Sequence, residues 1–268
     1  MNTIKLQQFS LITKFTNSYN SSNSRYFNKE EIETIDKSEY SIPRIPVELK
    51  PIILKMLGKH FYDIKCYEGE LNITSHKAYF SSDSSLPIIM RGAGIQRYYY
   101  TLNMSQGTIE YLKEREYLSS YGSSEKAHHH CSPRIVMQGM TGANDKVRLI
   151  MTIIPKGIYL GHSCKYIPHV KGIPLECILA VMNSKAANIF FRCFSTNSNV
   201  NGYEIENIPI PYMSQCIQTE IIRKVKSILA MKKENYNSDT SALEDEIDKL
   251  VYQLYDLTEE EIYIVEQQ

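Results

Sequence analysis

Tryptophan is absent from this chain of 268 residues, and so is a net charge, because 30 Lys and Arg balance 30 Asp and Glu. No apolar run approaches the ~18 residues that a membrane-crossing helix needs. The N-terminus has no uninterrupted apolar core and no cleavage site, so no signal peptide is read there, and a cytoplasmic location is the expectation. The six cysteines (66, 131, 164, 177, 193 and 216) include no C-x-x-C pair. That spacing excludes a zinc ribbon and a secreted disulfide framework, and several of them fall in apolar runs, as buried thiols do. There is no Gly-x-Ser-x-Gly elbow and no Walker loop. Gly92 to Gly94 lacks the third glycine, the following helix and the distal acid of a dinucleotide fingerprint. Its expected use is close backbone approach, to another strand or to a phosphate.

What is present is unevenly placed. Between Ser85 and Lys171 there are eleven Lys and Arg against five Asp and Glu, with five histidines besides. Between Asn237 and Gln268 there are ten acids and one lysine. A basic middle attracts phosphates, and an acidic tail is expected to point away from them. The 20 tyrosines suit a polar recognition surface, or reflect an AT-rich coding sequence. At 43% hydrophobic and 22% charged residues the composition is that of a globular protein.

The chain divides into a helical lead-in over 1–60, a body over 61–212 and a C-terminal helical segment over 213–268. In the lead-in, Asn28 begins a short helix, and a second runs from Val47 to Leu57, stopped by Gly58. Turn signals make Tyr67 to Phe80 a hairpin, Leu86 to Arg91 a strand, and Ile95 to Tyr100 another. Thr108 to Ser120 reads as a helix. Arg134 to Gly142, Val147 to Ile154 and Tyr159 to Ile167 read as three β segments. The run from Leu175 to Phe191 repeats apolar residues at three- and four-residue steps, one buried face of a helix. A polar turn and a short strand fill 194–211. An amphipathic helix then carries Ile217 to Leu229, a capping box is read at Ser241 to Glu244, and another at Thr258 to Glu261. The fold class is α+β, with a mixed, largely antiparallel β body closed by a C-terminal helical hairpin.

Several residues invite chemistry. The run His128 to Cys131 resembles a metal site only superficially, since adjacent residues rarely wrap one zinc ion and no second ligand pair follows. No metal ligands are assigned. Asp63–Ile64–Lys65 lacks the well-placed acidic partner of a nuclease core. Long donors fall at strand ends and beside glycines. Arginine matches guanine and glutamine matches adenine in the major groove, which makes Arg91, Gln96, Arg97, Arg134, Gln138 and Arg148 candidates for base or groove contact, with Tyr98 stacking or packing beside them. His128, Lys146, Lys156 and Lys165 are the candidate phosphate contacts.

Arg134–Gly142, Tyr166–Ile167, Asn183–Ser184–Lys185 and Ile208–Pro209–Ile210–Pro211, together with Gly92 to Tyr98 and the segment Ala242 to Glu266, occur in an order that resembles a known family. It is the TaqI-like C-terminal specificity domain, the target-recognition domain of adenine-specific DNA methyltransferases found fused in type IIG restriction-modification enzymes. The resemblance covers roughly residues 60 to 268. It implies specific binding of double-stranded DNA, within a restriction-modification or phage-defence system, so that a catalytic domain can flip and methylate an adenine. The motifs of that catalysis are missing. Asn207–Ile208–Pro209–Ile210 lacks the adjacent prolines that hold a flipped adenine, and no Gly-rich loop for S-adenosylmethionine is present. The chain is therefore expected to be the non-catalytic recognition part. Its partners are double-stranded DNA and a methyltransferase or endonuclease domain or subunit, and S-adenosylmethionine belongs to that partner alone. The alternative is a non-catalytic module whose acidic helices dock a partner subunit.

Overall fold

The computed structural model describes residues 45–103, 108–195 and 198–268. The helix expected at Asn28 lies outside them. A 3-10 turn over Val47–Leu49 leads into α1 (Lys50–Leu57), which ends at Gly58 as the sequence indicates. The strands that follow are β1 (Tyr67–Glu68), β2 (Phe80–Ser81), β3 (Ile88–Met90), β4 (Ile95–Gln96), β5 (Tyr99–Tyr100) and β6 (Glu110–Leu112). Helix α2 (Glu114–Tyr121) and a 3-10 segment, Glu125–Cys131, precede β7 (Arg134–Gln138), β8 (Met151–Ile154), β9 (Tyr159–Leu160) and β10 (Cys164–Ile167). The remainder is helical: α3 (Leu175–Met182), α4 (Lys185–Phe194), α5 (Gly202–Glu206), α6 (Gln215–Glu234), α7 (Ser241–Leu254) and α8 (Glu259–Glu266). The fold is α+β with largely antiparallel sheets and C-terminal helices.

The central sheet has the order β1-β10-β7-β8, antiparallel throughout. β7 is apolar at consecutive positions because both of its faces are covered. Ile135 and Met137 point into the large cluster formed with the helices, while Val136 points into a second cluster with Met90, Ile95 and Leu160. That second cluster joins the central sheet to another, β2-β6-β3-β9, in which β3 and β9 run parallel. On the opposite side α3 packs against β8 and α6. The large cluster draws residues from Ile45 through Val265, and so from all three spans into which the sequence divides.

Several local expectations are corrected. Tyr67 and Phe80 do not close a hairpin, since Tyr67 pairs with Tyr166 and Phe80 with Leu112, in separate sheets. The helix expected from Thr108 starts later, because Glu110 and Tyr111 are taken up by pairing with Ile89 and Ile88. Ile95 to Tyr100 folds back on itself as β4 and β5, turning through Arg97 and through Tyr98, whose φ is 58°. The third β segment splits at Gly161 to Ser163 into β9 and β10, in different sheets. Gly92 does permit close approach, but to protein: a Cβ there would lie 2.6 Å from the Ser163 carbonyl oxygen. Ser241 is not the N-cap of α7, which is Thr240; the box at Thr258 and Glu261 is formed as read.

Candidate nucleic-acid interface

The long apolar helix read after Pro174 breaks at Asn183, and the break organises much of the fold. The Asn183 side chain accepts a hydrogen bond from the Met151 N–H (3.2 Å) and donates to the Met151 carbonyl (3.1 Å). It thereby acts as an extra partner for β8. Ser184 then caps α4 by accepting from the Ala187 N–H. Lys185 reaches Asp245 at 3.0 Å and Glu266 at 2.7 Å, tying α4 to α7 and α8. The Asn-Ser-Lys motif is architectural.

Most of the expected base-contact set is consumed in the same way. Arg134 has no exposed surface; it pairs with buried Glu70, donates to the Ile158 carbonyl at 2.5 Å and lies 4.6 Å from the Tyr166 ring centroid. Arg148 is equally enclosed, bonded to Thr141 and Ser195 and stacked near Phe191. Arg97 bonds Glu244 and the Asn183 carbonyl, and Arg91 pairs with Glu110. Gln138 donates to the Ile95 carbonyl at 2.8 Å. Tyr98 is buried, and burial raises its phenol pKa. Arg134, Arg148 and Tyr98, expected to contact bases, are enclosed in the fold, and in this structure none of them faces a surface where a base edge could lie. Gln96 is the member of the set that keeps an exposed side chain.

The expected phosphate contacts divide. Lys165 pairs with Glu68 at 3.0 Å. Lys146 is exposed on the β7–β8 connection, at the Gln138 end of the central sheet. Lys156 and His128 belong to the other end: the turn after β8 donates from the Gly157 N–H to the His130 carbonyl, and His128 bonds the Gly122 carbonyl at 2.7 Å.

At that end lies a cleft of about 400 Å³. It is walled by three segments: residues 63–67, the 3-10 segment through Pro133, and Pro168 to Lys171 beyond β10. Over Phe61 to Cys66 exposure alternates with burial, which sets Asp63 and Lys65 on the open side and Ile64 in the core. Lys171 stands at a tight turn where Val170 pairs with Ile173 and Gly172 takes φ 89°, a conformation that favours glycine. His129 Nδ1 lies 2.9 Å from the Tyr166 hydroxyl, and its ring meets Tyr67 edge-on at 4.8 Å. Lys126 is half-buried, and burial lowers its pKa, with Glu70 and Glu68 acting the other way. Among the described residues Lys65, Lys126, Lys156 and Lys171 make no ion pair. Glu125 and Asp63 line the same cleft, yet no group of three or more His, Cys, Asp or Glu among the described residues is placed to hold a metal ion. All six cysteines are free, and no helix of the described residues is long and apolar enough to cross a membrane.

Sequence reasoning did not select Lys65, His129, His169 or Lys171 as contacts. The two-residue alternation before Tyr67 and the glycine after Lys171 were the signals available for them.

No protein-family model matches the sequence, and no curated protein matches it. Among solved structures the chain is similar to the type IIL restriction-modification enzyme MmeI in complex with DNA, at 8% identity and a TM-score of 0.45 over 76% of this chain and 35% of that one. It is also similar to the type IIG restriction endonuclease BpuSI, at 10% identity and a TM-score of 0.41 over 85% of this chain and 32% of that one. The chain thus spans about a third of the length of each.

Proposed function

We propose that this chain is a recognition module for double-stranded DNA that docks through the cleft end of its central sheet and carries no catalytic centre of its own. One observation carries the reading: Lys65 and Lys171 line the cleft and Lys156 stands on the neighbouring turn bonded to His130, all three without ion-pair partners among the described residues. The acidic tail does not neutralise them. Several of its carboxylates are engaged elsewhere, Glu244 and Asp245 with Arg97 and Lys185 of the body, Glu261 with Lys55 of the lead-in and Glu246 with Lys224 of the neighbouring helix. A chain of zero net charge thereby keeps a basic edge, the feature that duplex binding requires.

In this reading the lysines set position and orientation on the phosphates, while sequence is read by side chains exposed at the same end and by the shape of the duplex; Gln96, beside Gln138 at the other end of the sheet, takes no part. The chemistry belongs to a methyltransferase or endonuclease domain or subunit, which is the protein partner the reading assigns. The test is selection from a randomised duplex pool at low salt, followed by affinity measurements across a salt series. An enriched short motif and a steep fall in affinity with salt are expected. Retention without salt dependence would sink the reading and leave a subunit-docking module in its place.

A further inference from the structure

Beside the cleft lies a cluster of exposed aromatic rings that the duplex reading does not use. Phe61 pairs with Pro211 in an isolated antiparallel bridge, the Tyr62 N–H donates to the Ile210 carbonyl, and the Tyr212 N–H donates to the His60 carbonyl. This short ribbon fixes the backbone beneath the rings. Tyr212 is 60% exposed and Phe61 40%. The Tyr212 ring is held edge-on to Tyr62, with centroids 4.6 Å apart. The shelf meets the cleft at the turn beyond Pro168, where a Cβ on Gly172, next to Lys171, would lie 3.8 Å from the Tyr62 ring.

A large aromatic ring costs free energy when left in water, and one fixed to rigid backbone loses little entropy on gaining a partner. Every nucleobase offers a flat face for such a ring, and the linked phosphate needs a cation within one nucleotide's reach. Tyr212 supplies the ring and Lys171 the cation, linked through Tyr62, which Tyr212 meets edge-on and Gly172 approaches, and Lys65 lines another wall of the cleft. A cleft of about 400 Å³ is of the size that single small ligands occupy. In a base-paired duplex the base faces are already stacked, so the shelf gains nothing from intact DNA. We propose that the cleft and its shelf take one unpaired nucleotide, with the phosphate between Lys65 and Lys171 and the base on Tyr212. This rests on the DNA reading above and adds a ligand class to the same end of the molecule.

The experiment compares fluorescence anisotropy at low salt for an intact duplex and for the same duplex carrying a single bulged nucleotide. The bulged duplex is expected to bind about tenfold more tightly. Tyr212→Ala is expected to erase that preference while leaving affinity for the intact duplex unchanged, and Tyr212→Phe to preserve it. Equal binding of both duplexes by the wild-type chain, or a preference that survives Tyr212→Ala, overturns the inference but leaves the DNA reading standing. Binding to neither duplex removes the DNA reading and the inference with it.

Discussion

Arg97 donates from Nε to Glu244 at 2.5 Å, joining the β4–β5 turn to α7 across 147 residues of sequence. The same guanidinium bonds the Asn183 carbonyl at the break between α3 and α4. Three elements distant in the chain thus meet at one side chain. Its side chain is 29% exposed and that of Glu244 is 18%, so solvent screens the pair in part. Arg97→Ala is expected to cost about 2 kcal/mol in denaturant unfolding, and a double-mutant cycle with Glu244→Gln should return about 1 kcal/mol of coupling. A variant of unchanged stability with relaxed base preference would instead return Arg97 to the DNA.

Arg134 and Glu70 form the more deeply buried pair, with side chains 1% and 0% exposed. Glu70 also accepts the Leu160 N–H at 3.0 Å, so it holds β9 as well as the arginine. Arg134→Met leaves a carboxylate enclosed without its counter-charge, at a cost of about 3–5 kcal/mol. Adding Glu70→Gln, which retains an acceptor for Leu160, should recover much of that loss. Calorimetric or denaturant unfolding of the three variants measures this. A stable Arg134→Met protein would show that Glu70 is readily neutralised or hydrated in place.

These pairs explain what was legible in the sequence and what was not. β7 could be read because Ile135, Val136 and Met137 are consecutive and apolar, the pattern of a strand covered on both faces. The cap at Thr258 could be read because its partner Glu261 is three residues away. The break at Asn183 could not, because it depends on bonds to Met151, 32 residues upstream in a different element. The roles of the arginines were hidden for the same reason. A sequence displays a guanidinium, but Glu70 lies 64 residues from Arg134 and Glu244 lies 147 from Arg97. The cleft is harder still, since its walls come from three separate stretches and its lysines are defined by lacking ion-pair partners among the described residues.

The lysines at the cleft end should separate from Lys146 in a salt titration. Each phosphate contact removed lowers the slope of log affinity against log salt by about 0.9 on duplex DNA. Lys65→Ala and Lys171→Ala are each expected to reduce the slope by about that amount, equally on every sequence tested. Lys146→Ala, at the opposite end of the β7–β8 hairpin, is expected to leave it unchanged. If Lys146 lowers the slope and the cleft lysines do not, the docking face has been placed at the wrong end of the sheet.

Asp248 on α7 makes a pH-dependent prediction. It is 2% exposed, and its carboxyl is pushed up to about 6, foremost by burial. The Lys185 N–H, the Lys185 ammonium and the Arg97 guanidinium oppose that shift, and Glu266 adds to it. Between about pH 4 and pH 6 the folded chain therefore holds a proton that the unfolded chain has released. Stability from this group is fully present below the unfolded value and declines as pH rises through the folded one. A displacement of about two pKa units corresponds to about 3 kcal/mol. Asp248→Asn keeps an oxygen to accept the Lys185 N–H at 2.9 Å and cannot titrate. Unfolding free energies at pH 4 and pH 8 should show the asparagine variant gaining on the wild type by about 3 kcal/mol as pH rises. The opposite trend, with the variant losing ground at pH 8, would mean that Lys185 and Arg97 outweigh burial and that the ionised carboxylate is the form the fold prefers.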